Sequence, residues 1–286
     1  MLKTLREVLQ MAENGNYAVG AFNSPNMESL EAIVEAAEEL KLPVIMQFAQ
    51  CHEPWIPLSK IGPVMVEAAK KSTIPICVHL DHGETIEYLK EALDIGFSSV
   101  MFDGSTLPYD ENVRLTAETV KIASSYGASV EAELGSMGGR ESGDGKADEN
   151  SAKIYTDPDL AEEFIKTTHI DALACSFGTT HGLYLSSPKL DFGIVKEVRK
   201  KTNNIPVVMH GGSGVSEEAF RSAIESGVRK INYFTYMDKA GGARIKEWIL
   251  SGNEPIFFSD IVREARKAMK DDIARAMKIF TANKQV

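Results

Sequence analysis

Three of the chain's six histidines sit just past short apolar runs that read as parallel strands. They are His82 in Ile76-Cys-Val-His-Leu-Asp-His-Gly83, His181 in Ala174-Cys-Ser-Phe-Gly-Thr-Thr-His-Gly182, and His210 in Pro206-Val-Val-Met-His-Gly-Gly-Ser-Gly214. Each is followed at once by glycine, which lets backbone and ligand approach closely. Neutral imidazole is the commonest zinc ligand, and three protein ligands with one open position describe a catalytic zinc site. A lone histidine is more often structural than metal-binding. Three at equivalent strand ends reverse that expectation and predict a zinc enzyme.

Carboxylates accompany the histidines. Asp81 adjoins His82, and in an ideally pleated strand the two point to opposite faces. If the strand has ended there, both reach its mouth. Asp81 then reads either as a helix cap or partner to a histidine, or as a general acid or base beside the metal. Glu131 and Glu133 lie two apart on one strand face, and a carboxylate turned into a core is costly unless paired or functional. Glu133, next to Gly135, is the better candidate for the mouth, near the metal or as an alternative ligand position. His79 and His169 read as structural; His52 with Glu53 reads as pocket wall or an ordinary loop pair. Gly211-Gly-Ser-Gly214 and Asn232-Tyr-Phe-Thr235 follow strands where barrels often cradle phosphate on backbone N–H groups.

The elements that must position these groups recur regularly. Strand-like runs cover 17–23, 43–49, 75–82, 99–104, 129–135, 172–178, 206–211 and 229–235, several nearly continuous in Val, Ile, Ala and Met, as expected of strands buried on both faces. Amphipathic stretches cover 1–10, 27–41, 85–95, 112–126, 159–168, 192–201 and 217–226. Helix starts are signalled by Ser216 and by Thr156-Asp157-Pro158. Strand then helix, eight times over, predicts a closed (β/α)8 TIM barrel in the α/β class, a single domain over 1–286. An open doubly wound sheet is the structural alternative, weakened by the lack of G-x-G-x-x-G after the first strand. The polar, Gly-rich stretch 136–151 reads as a mobile catalytic loop, and after Gly241-Gly242 a helical tail covers 259–281.

With 286 residues, 43% of them hydrophobic, the chain can bury a large core. A net charge of −10 argues against nucleic acid as a partner, while local amides can still hold a small anion. Neither a signal peptide nor a run of ~20 apolar residues is found, so no membrane is expected. Cys51, Cys77 and Cys175 form no C-x-x-C pair, and a reducing cytoplasm fits best. No lysine ends a strand, since Lys230 lies near the start of the eighth, which disfavours a Schiff-base route.

Taken together, Gly20-Ala-Phe-Asn23, Asp81-His82-Gly83, Glu133-Leu134-Gly135 with Gly138-Gly139, His181-Gly182, His210-Gly-Gly-Ser-Gly214 and Asn232 resemble the class II, zinc-dependent ketose-bisphosphate aldolases, among them the fructose- and tagatose-bisphosphate aldolases. The resemblance implies one catalytic Zn2+ per subunit on His82, His181 and His210, with a monovalent cation, Na+ or K+, as a further cofactor. It implies that Asp81 protonates the leaving alkoxide or aldehyde oxygen, and that Glu141, on the 136–151 loop, is the base acting on the dihydroxyacetone phosphate carbon. Asn23, Gly182, Gly211, Ser213, Asn232 and Thr235 are similar to substrate and phosphate contacts. Arg263 is similar to an arginine that reaches a neighbouring subunit to bind the distal phosphate, which implies a homodimer or dimer-based oligomer. Aldol cleavage develops an enediolate, and zinc is a Lewis acid suited to it. The substrate implied is a small sugar phosphate. Departures bear on the acceptor half: Ala49 stands where relatives commonly have serine, Leu185 where some have lysine, Phe234 where a small or polar residue is usual, and Arg140-Glu141-Ser142 where Glu-Asp is common. A non-catalytic sugar-phosphate sensor or partner subunit is the alternative reading.

Overall fold

The computed structural model describes residues 1–135, 155–182, 188–252 and 254–282. Its strands are β1 (Leu2–Lys3), β2 (Val19–Asn23), β3 (Val44–Ala49), β4 (Ile76–Gly83), β5 (Ser99–Phe102), β6 (Ser129–Leu134), β7 (Ala172–Cys175), β8 (Val207–Met209) and β9 (Val228–Asn232). From β2 to β9 each strand pairs in parallel with its sequence neighbour, and β9 returns to β2. That ring closes an eight-stranded barrel and overturns the open doubly wound alternative.

The helices are α1 (Leu5–Gly15), α2 (Met27–Leu40), α3 (Leu58–Lys71), α4 (Ile86–Ile95), α5 (Tyr109–Ser125), α6 (Pro158–Thr168), α7 (Phe192–Lys201), α8 (Glu217–Ser226), α9 (Thr235–Leu250) and α10 (Phe258–Phe280). The predicted caps form: Ser216 accepts from the Ala219 N–H, and Asp157 accepts from those of Asp159 and Leu160 ahead of Pro158. At the N-terminus the expected helix over 1–10 gives way to β1, which pairs with β4. Thr4 and Glu7 then form a capping box that starts α1 at Leu5.

Two helices escaped the sequence pattern. The α3 helix, absent from the amphipathic stretches, carries Gly62-Pro63; Gly62 lets the helix approach Phe97 and Ile95, where a Cβ would sit 3.1–3.3 Å from their side chains. Gly241-Gly242, expected to lead into the helical tail, lies inside α9. A Cβ on Gly241 would come within 3.1 Å of Met269 on α10, so the glycine allows the two helices to pack.

The barrel interior changes character along its axis. At its N-terminal end α1 plugs it with Leu5, Val8, Leu9 and Ala12 against Val19, Ala21, Ile45, Cys77, Ala172, Ala174 and Val208. Above that apolar layer the inward positions become Gln47, His79, Glu131 and Lys230, all fully buried. Nearest the C-terminal mouth they are Asn23, Asp81, Glu133 and Asn232. Such a mouth is where barrel enzymes gather their chemistry.

Candidate active site and metal centre

β4 does not stop before its functional pair, as one sequence alternative required. It runs through Gly83 with a register irregularity between Leu80 and Gly83 against β5. His82 takes a left-handed φ of 49°, a conformation uncommon for a side-chain-bearing residue. The bulge breaks the alternation of faces, so Asp81 and His82 both serve the mouth. Their Oδ1 and Nε2 atoms lie 4.0 Å apart.

His181, in the segment after β7, and His210, just past β8, complete a cluster. Ring centroids are 4.7 Å apart for His82 and His210, 5.0 Å for His82 and His181, and 5.5 Å for His181 and His210. One nitrogen from each lies within 4.8 Å of the others. Gly211 makes this convergence possible. It adopts φ of 65°, and a Cβ there would fall 2.2 Å from the Thr180 carbonyl oxygen, so only glycine lets the segment bearing His181 close against the end of β8.

In two of the rings the second nitrogen is held. Nδ1 of His82 lies 2.7 Å from Asp103 Oδ2, and Nε2 of His210 lies 2.9 Å from Glu131 Oε1. Carboxylates that grip the far nitrogen orient an imidazole for metal binding. Nε2 of His82, Nδ1 of His210 and Oε2 of Glu133 are buried without a hydrogen-bond partner. Buried polar atoms are normally satisfied, and this donor set of borderline nitrogen with carboxylate oxygen fits zinc. His82, Asp103 and Glu133 form a second group whose atoms fall within 4.8 Å of one another, so the alternative position expected for Glu133 includes Asp103. No sequence motif flagged Asp103; its cue was only that it follows a strand end.

Asp81 is fully buried and clamped by three amides. Asn23 and Gln47 donate to Oδ2, and Asn232 donates to Oδ1, each at 3.1 Å. Gln47 also donates to Asn23 Oδ1. Asn23 and Asn232, expected to touch substrate, therefore hold Asp81 here, and Gln47 was missed because it lies mid-strand in an apolar run. Burial alone would raise the Asp81 carboxyl, but His82, then Lys230, outweigh it and keep the group well below the carboxylate range. Burial would likewise lower His82, yet the Asp81 and Asp103 carboxylates hold it well above its ordinary value. His181 is pushed well down by burial and by His82. Burial, with Asp103 beside it, pushes Glu133 well up.

The remaining expected residues are distributed as follows. Gly182 takes φ of 86° beside His181. Ser213 is buried, and its Oγ accepts from the Tyr236 N–H in the first turn of α9, the helix that Thr235 opens. The Gly-rich segment after β8 is thus stitched to a helix N-terminus. Arg263 lies on the exposed side of α10, paired with Asp260. His52 is a wall residue, fully buried, stacked on Trp55 at 4.7 Å and tilted against Phe234 at 5.0 Å. Glu141, Leu185 and the 136–151 loop lie outside the described residues. Lys230 is buried in the interior below the mouth, and His79 is fully buried with Nδ1 on Ser99 Oγ at 2.9 Å.

A closed parallel barrel that gathers imidazoles and carboxylates at its C-terminal mouth has the form of a barrel enzyme with a candidate metal centre. The family model described as class-II fructose-bisphosphate aldolase matches residues 3–285. The chain is 39% identical over 285 residues to the fructose-bisphosphate aldolase of Geobacillus stearothermophilus, covering 98% of this chain and 96% of that one. It is 36% identical over 289 residues to the probable fructose-bisphosphate aldolase of Bacillus subtilis strain 168, covering 99% of each. The crystal structure of the YdjI aldolase from Escherichia coli K12 matches with a TM-score of 0.86 at 37% identity, covering 98% and 97% of the two chains. The chain belongs to the class-II fructose-bisphosphate aldolase family and is an aldolase, a lyase that cleaves by the aldol route. The sensor reading finds no support among these relatives.

Proposed function

We propose that the protein reversibly cleaves a phosphorylated ketose, of the fructose- or tagatose-1,6-bisphosphate type, to dihydroxyacetone phosphate and an aldehyde, with one zinc ion held by His82, His181 and His210. The observation that carries this reading is the meeting of three histidines with a buried, amide-clamped Asp81 at one barrel mouth. Zinc bound there supplies a Lewis acid for the negative charge that develops on the ketose oxygens.

The chain's own residues divide the remaining work. Asp81, kept ionised, takes the proton of the hydroxyl on the carbon that becomes the aldehyde; in condensation the same carboxyl returns it. Asn23, Gln47 and Asn232 fix its oxygens so that little reorganisation is needed. Glu141, by its resemblance to the family base, moves the proton at the carbon of the dihydroxyacetone phosphate half. Gly211, Ser213 and the N-terminus of α9 at Thr235 bring backbone N–H groups to one side of the mouth, which suits that half's phosphate. Gly182 borders the same mouth, and a monovalent cation, Na+ or K+, near the phosphate is part of the reading. A screen of ketose mono- and bisphosphates with zinc-loaded protein, reading triose-phosphate release, tests it. Cleavage of at least one ketose phosphate is expected, and failure on all of them would contradict the reading.

We infer further that the protein works as a homodimer in the cytoplasm. Around the connection between α9 and α10, Leu250, Phe257 and Phe258 are exposed at 76%, 59% and 78%, large apolar side chains of the kind that association would cover. All three cysteines are free, and no described helix is long and apolar enough to cross a membrane. Arg263 is the residue assigned to the neighbouring site. Replacing it with alanine should lower kcat/KM for a bisphosphate about 30-fold, one charge-assisted contact of ~2 kcal/mol. A ketose bearing only the phosphate on carbon one should be little affected, and equal losses on both substrates would remove Arg263 from this role.

A further inference from the structure

Beneath the mouth lies a buried pair of opposite charges that takes no direct part in the cleavage chemistry. Lys230, on β9, has no solvent exposure, and its Nζ lies 2.9 Å from Oε2 of Glu131 on β6. Glu131 is equally buried. Its other oxygen, Oε1, lies 2.9 Å from Nε2 of His210. His79 stands alongside, with Nε2 3.6 Å from the same Oε2 that faces Lys230.

A buried ion pair is weak evidence for stability, because desolvation offsets most of the attraction, and well-packed apolar groups often serve as well. This barrel fills its adjacent layer that way, with Val19, Ala21, Ile45, Ala172, Ala174 and Val208. Ala172 and Ala174 are also the neighbours of Glu131 and Glu133 in the sheet register, so small side chains leave room for both carboxylates. A charge pair in this setting calls for a reason other than stability.

His210 supplies one. A neutral imidazole donates through one nitrogen and accepts through the other, whereas a carboxylate only accepts. Contact with Glu131 Oε1 therefore sets the proton on Nε2 and leaves the lone pair on Nδ1. That nitrogen is buried without a hydrogen-bond partner, 3.5 Å from Glu133 Oε2. His82 is arranged the other way round: Asp103 takes Nδ1, and Nε2 is left. The two rings turn opposite nitrogens to the same centre, so each needs its own carboxylate to orient it. Glu131 can aim Oε1 at His210 only if Oε2 is held, and Lys230 is the cation that holds it.

We infer that Lys230 and Glu131 are positioning residues for His210, Lys230 pinning one carboxylate oxygen while the other fixes His210 with Nδ1 turned to the metal. The role of the lysine is thus to set a ligand. The inference rests on the reading of His82, His181 and His210 as a zinc site, and its test separates the two.

The first measurement is the 15N spectrum of histidine side chains in metal-stripped protein, with the His210 signals identified by their loss in His210→Ala. Wild type should carry the His210 proton on Nε2; a proton on Nδ1 overturns the inference whatever the variants do. The second compares zinc affinity, by competition with a chromophoric chelator, among wild type, Lys230→Met and the Glu131→Gln/Lys230→Met double variant. The double variant removes both charges at similar volume, so it leaves no unpaired ion in the core. Zinc affinity should fall about 10–100-fold in both variants, and the His210 tautomer should become mixed in the double variant. Affinity within twofold of wild type and an unchanged His210 signal would overturn the inference. If wild type itself binds no zinc, the metal reading fails, while the 15N spectrum still judges the positioning pair.

Discussion

The two ends of the barrel use the same kinds of residue for different ends. At the N-terminal end Glu13 of α1 accepts from Arg199 through Oε1 and from Arg229 through Oε2, the latter at 2.7 Å. Arg229 also donates to Asn16 Oδ1 and to the carbonyls of Ile224 and Val228, and Arg199 donates to those of Asn204 and Ile205. Those charges are fully committed to tying α1 to the start of the sheet. At the C-terminal mouth, by contrast, a nitrogen of His82, one of His210 and an oxygen of Glu133 are buried without hydrogen bonds. Satisfied charge at one end fixes structure; unsatisfied donor atoms at the other are held ready for a ligand.

Substitutions at the two ends should therefore fail in different ways. The largest effect is expected from His181→Ala or His210→Ala. Losing one of three protein ligands should release most of the zinc and lower turnover about 10³-fold or more, since metal stabilisation is worth several kcal/mol. Metal content by elemental assay beside kcat tests this, and stoichiometric zinc in both variants would rule out the ligand set. Asp81→Asn should keep its zinc and still lose about 10²–10⁴-fold in kcat, because an amide cannot exchange the proton. Rates like wild type would remove Asp81 from the mechanism.

At the closed end the expected pattern inverts. Arg229→Met breaks a largely buried set of contacts to Glu13, Asn16 and two carbonyls and should lower stability by about 2 kcal/mol, less than for a fully buried pair because Glu13 is partly solvated. Its kcat/KM should stay within twofold of wild type; a loss of activity without a loss of stability would break the contrast between the ends. Smallest is the effect of pH on the mouth. His82 holds its proton to well above the ordinary value, so zinc must displace a proton that His181, pushed well down, does not carry. Zinc affinity should thus fall as pH drops below that raised value, by at most about tenfold per unit for the one proton displaced, measurable by chelator competition; a flat profile would mean that His82 binds zinc without giving up a proton.

The same contrast explains what the sequence disclosed. Strand-end histidines stand out because imidazole is rare and each is flanked by glycine, and parallel strands stand out because both faces are apolar. The (β/α)8 barrel and the cluster of His82, His181 and His210 were legible for those reasons. Gln47 and Asp103 were not, since a single amide in an apolar strand and a single aspartate after a strand look like many others; only the fold gives them partners. The left-handed turn at His82 is a backbone event that local sequence signals only weakly, because most histidines keep a negative φ. Gly241-Gly242 misled in the opposite sense. Close helix packing and a helix break call for the same residue, and local sequence does not distinguish them.

The most direct measurement is zinc content and ketose-phosphate cleavage on one sample as a chelator strips the metal and zinc is returned. One zinc per subunit, activity lost in step with the metal and regained at one equivalent, is the expected result. Full cleavage activity in protein shown to be free of metal would contradict the assignment of His82, His181 and His210 as the centre of the catalytic site.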